Sequence, residues 1–186
     1  MSGGHGHVDH SNKRIALLVA VLAALLAISE MGGKSSQTNA LASHIEASNF
    51  WTFFQAKTIR QTTLRTAAEE AEATFKDSPQ GLPPALKAQS ERWRQTAQRY
   101  ETEPETGEGR RELMARAKDK EQRRDRSLSA YHLFEYGSAS FQLAIVLAGA
   151  AALTSVGWLV YLAFGLGLVG MGFTGLAFIA PTLVHL

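Results

Sequence analysis

The sequence predicts an all-α membrane protein: three transmembrane helices, with a helical, antiparallel coiled-coil-like extramembrane insert between the first and the second. Three observations carry that prediction. Of the 36 charged residues in the 186-residue chain, 32 lie between Lys34 and Glu135. None lies from Ile15 to Ser29, and none from Gly137 to Leu186. The charged stretch is rich in Ala, Glu, Gln, Lys and Arg and lacks polar–apolar alternation, which favours helix over strand. A single soluble domain spreads its charge along the chain, so this partition excludes one. The lack of cysteine excludes a disulfide-held scaffold. A formal net charge of +2 is too small to imply a nucleic-acid partner.

Residues 1–12, MSGGHGHVDHSN, carry little apolar content and read as a flexible tail. His5, His7 and His10, with Asp9, are weak candidates for a soft divalent metal. A solvated polar tail is the plainer reading, and no resident metal or cofactor is expected.

The first transmembrane helix is expected over 13–33. Its apolar run, Ile15 to Ile28, is short for a span of about 20 residues, so Lys13, Arg14 and the stretch Ser29 to Gly33 complete it. Glu30 and Lys34, four apart on one helix face, then reach the headgroups and partner each other. A signal peptide cleaved after Ala27-x-Ser29 is the competing reading. A transmembrane hairpin is expected over 138–181, leaving 182–186 as a short tail. Its helices run from Ser138 to Ser155 and from Trp158 to Ala180, where Pro181 stops the second. Trp158 and Tyr161 suit an interfacial belt at the turn, and Phe134 and Tyr136 suit one at the other end.

The insert, 34–137, is expected to hold a helix from about Ser35 to Lys76, a second from about Ala85 to Glu101, and a third from about Arg110 into the second span. The breakers are Asp77-Ser-Pro79-Gln-Gly81-Leu-Pro83-Pro84, then Pro104, Gly107 and Gly109. The apolar stripe of the first helix takes in Leu41, Ile45, Phe50, Trp51, Phe54, Ile59, Leu64, Ala68, Ala71 and Phe75. Such stripes are thin, so neighbouring copies are expected to complete the core. The aromatics Phe50, Trp51, Phe53 and Phe54 cover more than one helix face. Leu113, Met114 and Ala117 can meet one face, and Phe50, Trp51 and Phe54 are expected to form an interface with a second subunit.

Basic residues before the second span (Arg116, Lys118, Lys120, Arg123, Arg124 and Arg126) place the insert in the cytoplasm, with the N-terminal tail and the hairpin turn outside. Lys13 and Arg14 pull the other way.

The third span holds Gly165-x-Gly167-x-x-Gly170 and Gly170-x-Gly172-x-x-Gly175. Both match the dinucleotide fingerprint, yet no strand precedes them and no acid follows Glu135, so no nucleotide partner is expected. Close helix packing explains them better. Ala163, Gly167, Gly170, Thr174 and Ala177 form one small-residue stripe. Gly137, Ser140, Ala144, Ala148, Ala151 and Ser155 form another, and Ala16, Ala20, Ala23 and Ala27 a third. Gly165, Gly172 and Gly175 lie off the first stripe and suit a further close neighbour. No ionisable residue falls deep in a span, which disfavours a pump or transporter. His44, His132 and His185 are scattered, and none has a carboxylate or serine at a suggestive spacing, so no catalytic residues are assigned.

The residues Asn12-Lys-Arg-Ile-Ala-Leu-Leu, Glu30-Met-Gly-Gly-Lys34, Ile45-Glu-Ala-Ser-Asn-Phe-Trp51 and Gln55-Ala-Lys-Thr-Ile-Arg60 resemble a bacterial membrane-protein family. It is known as domain of unknown function number 4337. His132-x-Phe134-Glu135 leading into Gln142-x-Ala-Ile-Val-Leu147 is similar to the same family. The resemblance implies the three-span plan with a helical insert and supplies no activity. With this resemblance, the sequence leads to a non-enzymatic, homo-oligomeric scaffold of a bacterial inner membrane, or an accessory subunit of a larger membrane assembly. Its expected partners are membrane lipids and other copies of itself. An oligomeric channel or pore with a hydrophobic gate is the alternative.

Overall fold

The computed structural model describes residues 10–183, with side chains from Lys13 onward. His5 and His7 lie outside the described residues, as do the side chain of His10 and all of His185. The described residues form four helices and no strand: α1 (His10–Thr74), α2 (Pro84–Glu101), α3 (Arg110–Thr154) and α4 (Trp158–Ile179). Three of these, α1, α3 and α4, contain stretches long and apolar enough to cross a membrane.

The prolines draw the helix boundaries. Pro79 and Pro83 lie between α1 and α2, and Pro84 opens α2, where its missing N–H costs nothing. Pro104 lies between α2 and α3, and Pro181 follows α4. No proline falls in a helix interior, and the 65 residues of α1 contain none. One difference from the sequence reading follows. The expected division near residue 34 between the first span and the insert is not a helix end, because α1 runs through Gly32 and Gly33. Gly33 is buried there, with the Phe134 side chain beside it.

The chain divides into two compact units. Among the described residues one comprises 10–41 and 124–183 and, because it holds the stretches apolar enough to cross a membrane, is called the membrane unit below; the other, Ala42–Arg123, is the insert. In the membrane unit, Leu22, Phe141 and Ala144 form one buried cluster, flanked by Leu18, Leu25, Leu26 and Leu166. Ala130, Leu133, Phe134 and Ala177 form another, flanked by Phe173 and Leu176. In the insert the buried apolar residues are four alanines (Ala47, Ala68, Ala97 and Ala117) and Leu113.

The insert's covered positions follow a seven-residue spacing. Ala47, Phe54, Gln61 and Ala68 form one row, and Phe50, Lys57, Leu64 and Ala71 the other; each is buried or half-buried. This differs from the expected stripe, since Leu41, Ile45 and Ile59 are exposed. Lys57 and Gln61 take covered positions that a stripe drawn through apolar residues alone passes over.

Candidate functional site

In the membrane unit, small residues let three helices approach. On α4, Ala163, Gly167, Gly170, Thr174 and Ala177 are all buried. On α3, Gly137, Ala144, Ala148 and Ala151 are buried. A side chain at Gly170 would meet the Phe141 ring at 2.8 Å, and one at Gly167 would meet Leu22 Cδ2 at 2.8 Å. The alanine stripe of α1 behaves otherwise: Ala16, Ala20, Ala23 and Ala27 are all exposed. The covered face of α1 instead carries Leu18, Leu22, Leu25, Leu26 and Ser29. Two smooth faces cannot interdigitate, so the glycines and alanines of α3 and α4 receive the leucines of α1 and the ring of Phe141.

One polar node ties the three helices together. Thr174 Oγ1 donates to Ser29 Oγ at 3.1 Å, and Ser29 Oγ donates to the Phe134 carbonyl at 3.0 Å. Gly137 makes room, since a Cβ there would lie 2.5 Å from Thr174 Oγ1 and 3.1 Å from Ser29 Oγ. Away from water, hydroxyls that satisfy one another in this way hold helices together without leaving an unpaired polar group.

Beside the node, a cleft of about 670 Å³ opens between α1 and α3. Its apolar part includes Gly33, Phe134 and Ala139, and its polar part includes Glu30, Lys34, Gln37, Glu135 and Gln142. Gln142 Nε2 donates to Glu30 Oε1 at 3.3 Å. Tyr131 OH donates to Glu135 Oε1 at 2.6 Å, and His132 Nδ1 lies 3.2 Å from the other oxygen. Glu30 and Lys34, expected to pair with each other, form no ion pair in the structure.

The insert is organised around charge. Arg110 donates to Thr58 Oγ1 at 2.9 Å, to Gln61 Oε1 at 2.5 Å and to Glu101 Oε2 at 2.7 Å. Gln61 donates to Glu101 Oε2 and to the Ala97 carbonyl. Lys57, 5% exposed, pairs with Glu103 at 3.1 Å. The hydrogen bond from Gln61 holds the Glu101 carboxyl below its usual range; burial opposes it, and Arg110 and Arg111 add to the lowering. The Lys57 hydrogen bond lowers Glu103, against burial, and the Thr102 hydroxyl with backbone N–H groups lowers Glu112.

The aromatic residues expected at a subunit interface find partners inside the insert. Trp51 Nε1 donates to Glu121 Oε1 at 2.9 Å, and its ring meets Phe54 edge-on at 5.4 Å. Arg110 lies over Phe54 and Arg116 over Phe50, while Lys57 lies near both Phe53 and Tyr100. Cations stacked on ring faces supply what apolar neighbours do elsewhere. Phe50, Trp51 and Phe54 are nonetheless only half-buried, so part of each ring stays open to a second subunit. Basic residues spaced to meet them were the signal to read.

No group of three metal-ligating side chains occurs among the described residues. The family model described as Domain of unknown function (DUF4337) matches residues 11–180. No curated protein and no solved structure matches the chain.

Proposed function

This chain belongs to the DUF4337 family, whose description assigns no activity, and from the geometry we propose that it is a non-enzymatic, homo-oligomeric membrane scaffold or accessory subunit. In this reading α1, α3 and α4 span a bacterial inner membrane, and the insert forms a coiled-coil-like domain on the cytoplasmic side. The supporting observation is a pair of small-residue faces that the three-helix packing leaves uncovered. Gly165 and Gly172 on α4 have no neighbour within 4 Å of where a Cβ would lie, and Ala16, Ala20, Ala23 and Ala27 on α1 are exposed. In lipid, such faces gain when another helix approaches, because backbones come close enough for dispersion and weak polar contacts. Lipid supplies no such fit.

The mass of the detergent-extracted complex tests this reading. A multiple of the 20.2 kDa chain is expected, falling when Gly165 and Gly172 are both replaced by leucine. A monomer, or an oligomer indifferent to the double variant, would overturn it. Orientation is tested separately with a chain that has no cysteine of its own. A cysteine at exposed Gln95 should resist an impermeant label in intact cells, and one at exposed Gly157 should react.

A further inference from the structure

The cleft between α1 and α3 has features that the scaffold reading does not use. Its depth can be read from the sequence. Gly137 precedes the hairpin turn at Ser155 by 18 positions, which is about 27 Å of helix. With a hydrocarbon layer about 30 Å thick, Gly137 and the adjoining Ser29 lie close to its edge on the insert side. Glu30 and Lys34 continue outward from Ser29, so the cleft straddles the boundary between acyl chains and headgroups.

At that boundary the cleft presents an unusual charge arrangement. Glu30 and Lys34 are spaced four apart, with the acid first, the order that favours a helical ion pair. Yet Glu30 takes only the long hydrogen bond from Gln142, and the Lys34 ammonium has no ion-pair or hydrogen-bond partner among the described residues. Glu135, also in the cleft, brings a second carboxylate with Tyr131 and His132 against it. Unpaired charge at the edge of a low-dielectric layer is costly. A ligand carrying both an anion and a cation removes that cost at Lys34 and Glu30 at once.

We propose that this cleft binds one phospholipid with a zwitterionic, primary-amine headgroup of the ethanolamine type. The lipid phosphate lies on the Lys34 ammonium, with Gln37 as a further donor. The headgroup ammonium donates to Glu30 and Glu135. Its glycerol and first acyl carbons lie on Gly33, Phe134 and Ala139. The charges decide the class. The cleft holds two carboxylates and one ammonium, a net charge of −1, so a net-anionic headgroup is disfavoured. A choline headgroup balances the charge but cannot donate hydrogen bonds to the carboxylates. The cleft volume lies within the roughly 300–1,000 Å³ usual for small-ligand sites.

The test uses the full chain in nanodiscs of equal parts ethanolamine, choline and glycerol phospholipids. The protein is released gently into detergent, and retained lipid is weighed by native mass spectrometry. The expected result is retention of the ethanolamine lipid about tenfold over the other two. Lys34→Gln and Glu30→Gln, both at exposed positions, should each bring that ratio near one. Ala139→Trp should abolish retention by filling the cleft without changing charge. The melting temperature of each variant is measured alongside to show that it folds. Equal retention of all three lipids by the wild type would overturn the proposal, leaving only a surrounding lipid layer. So would a preference for the glycerol lipid, or a tenfold ratio that survives all three substitutions. Oligomer mass is recorded in the same spectra, so failure of the scaffold reading would appear separately as a monomer that still selects lipid.

Discussion

The two units solve the same problem with opposite materials. In the membrane unit, helices approach through glycine and alanine, and large apolar side chains fill what remains: Leu22 at Gly167, and Phe141, 0% exposed, at Gly170. Its internal polarity is concentrated in the Ser29–Thr174–Phe134 node. In the insert, four of the five fully buried apolar residues are alanines, and Gln61, 2% exposed, sits in the core beside Lys57. Arg110 alone joins Thr58, Gln61 and Glu101. With the membrane placement proposed above, the surrounding solvent explains the contrast. In lipid there is little hydrophobic drive between helices, so close fit has to supply the attraction. In water, alanine-lined helices bury little apolar area, and satisfied charged hydrogen bonds and cation–π contacts make up part of the difference.

This contrast predicts that steric change breaks one unit and loss of charge breaks the other. The largest effect is expected from Gly170→Leu. A Cβ there meets a fully buried ring that has nowhere to turn, so the cost should be about 3 kcal/mol. Gly167→Leu meets the flexible end of Leu22 and should cost about 1 kcal/mol. Unfolding by SDS in mixed micelles, followed through a cysteine at buried Ala148, would measure both. Equal costs at the two glycines would mean that Phe141 moves as freely as a leucine tip.

Arg110→Ala comes next, at about 2 kcal/mol, because it strips charge-assisted partners from partly exposed Glu101 and half-buried Thr58 and buried Gln61. The same network gives the insert an acid limit. Glu101, Glu103 and Glu112 all have folded-state pKa values below the ordinary 4.5. Their contribution is therefore complete above that value and is lost as pH falls through the lowered ones. Trp51 and Trp93 report on the insert once Trp158→Phe removes the tryptophan of the membrane unit. Their fluorescence should shift below about pH 4.5, while the Ala148 cysteine stays protected. If both probes respond together, the two units are not energetically distinct.

Trp51 separates packing between subunits from packing within the insert. As an interface anchor, its truncation would lower oligomer mass. As a residue bonded to Glu121 and packed on Phe54, Trp51→Phe should cost the insert about 1 kcal/mol through the lost hydrogen bond, with oligomer mass unchanged. Cross-linking and thermal unfolding of the insert, measured on one preparation, would separate these outcomes.

What was legible in the sequence follows the same division. The helices and their connections could be read because proline and glycine punctuate them and charge is excluded from the apolar runs. The buried faces of α3 and α4 were visible as stripes because small residues recur at helical spacing. The face of α1 was not, because alanine and leucine alternate around it and either could be covered; the choice depended on what α3 and α4 present. The insert was least legible. Its covered rows run through Lys57 and Gln61, and only the positions of Glu101, Glu103 and Arg110 on other helices make those side chains suitable for burial. The cleft went unrecognised because Glu30 and Lys34 look like a partnered surface pair, and nothing local indicates that they remain apart.

The smallest effect lies in the turns, where the two units also differ. Gly81 and Gly107 take positive φ in the insert, at 64° and 66°, where the absence of a Cβ makes that conformation inexpensive. The hairpin turn of the membrane unit has Ser155 at φ 58° instead. Its N–H donates to the Ala151 carbonyl at 3.0 Å, the bond of a helix ended by one left-handed residue. A side chain in that region costs roughly 1–2 kcal/mol. Glycine removes that cost but adds freedom to the unfolded chain, worth roughly 0.5–1 kcal/mol. Ser155→Gly should therefore stabilise the membrane unit by about 0.5 kcal/mol, seen at the Ala148 probe and not in the insert's fluorescence. Gly81→Ala, at a site with no neighbour within 4 Å of the new Cβ, should cost the insert about 1 kcal/mol for the same reason with opposite sign. Ser155→Ala serves as the control, since it keeps the Cβ and loses only the hydroxyl. Were it to stabilise as much as Ser155→Gly, the backbone angle would not be the cause.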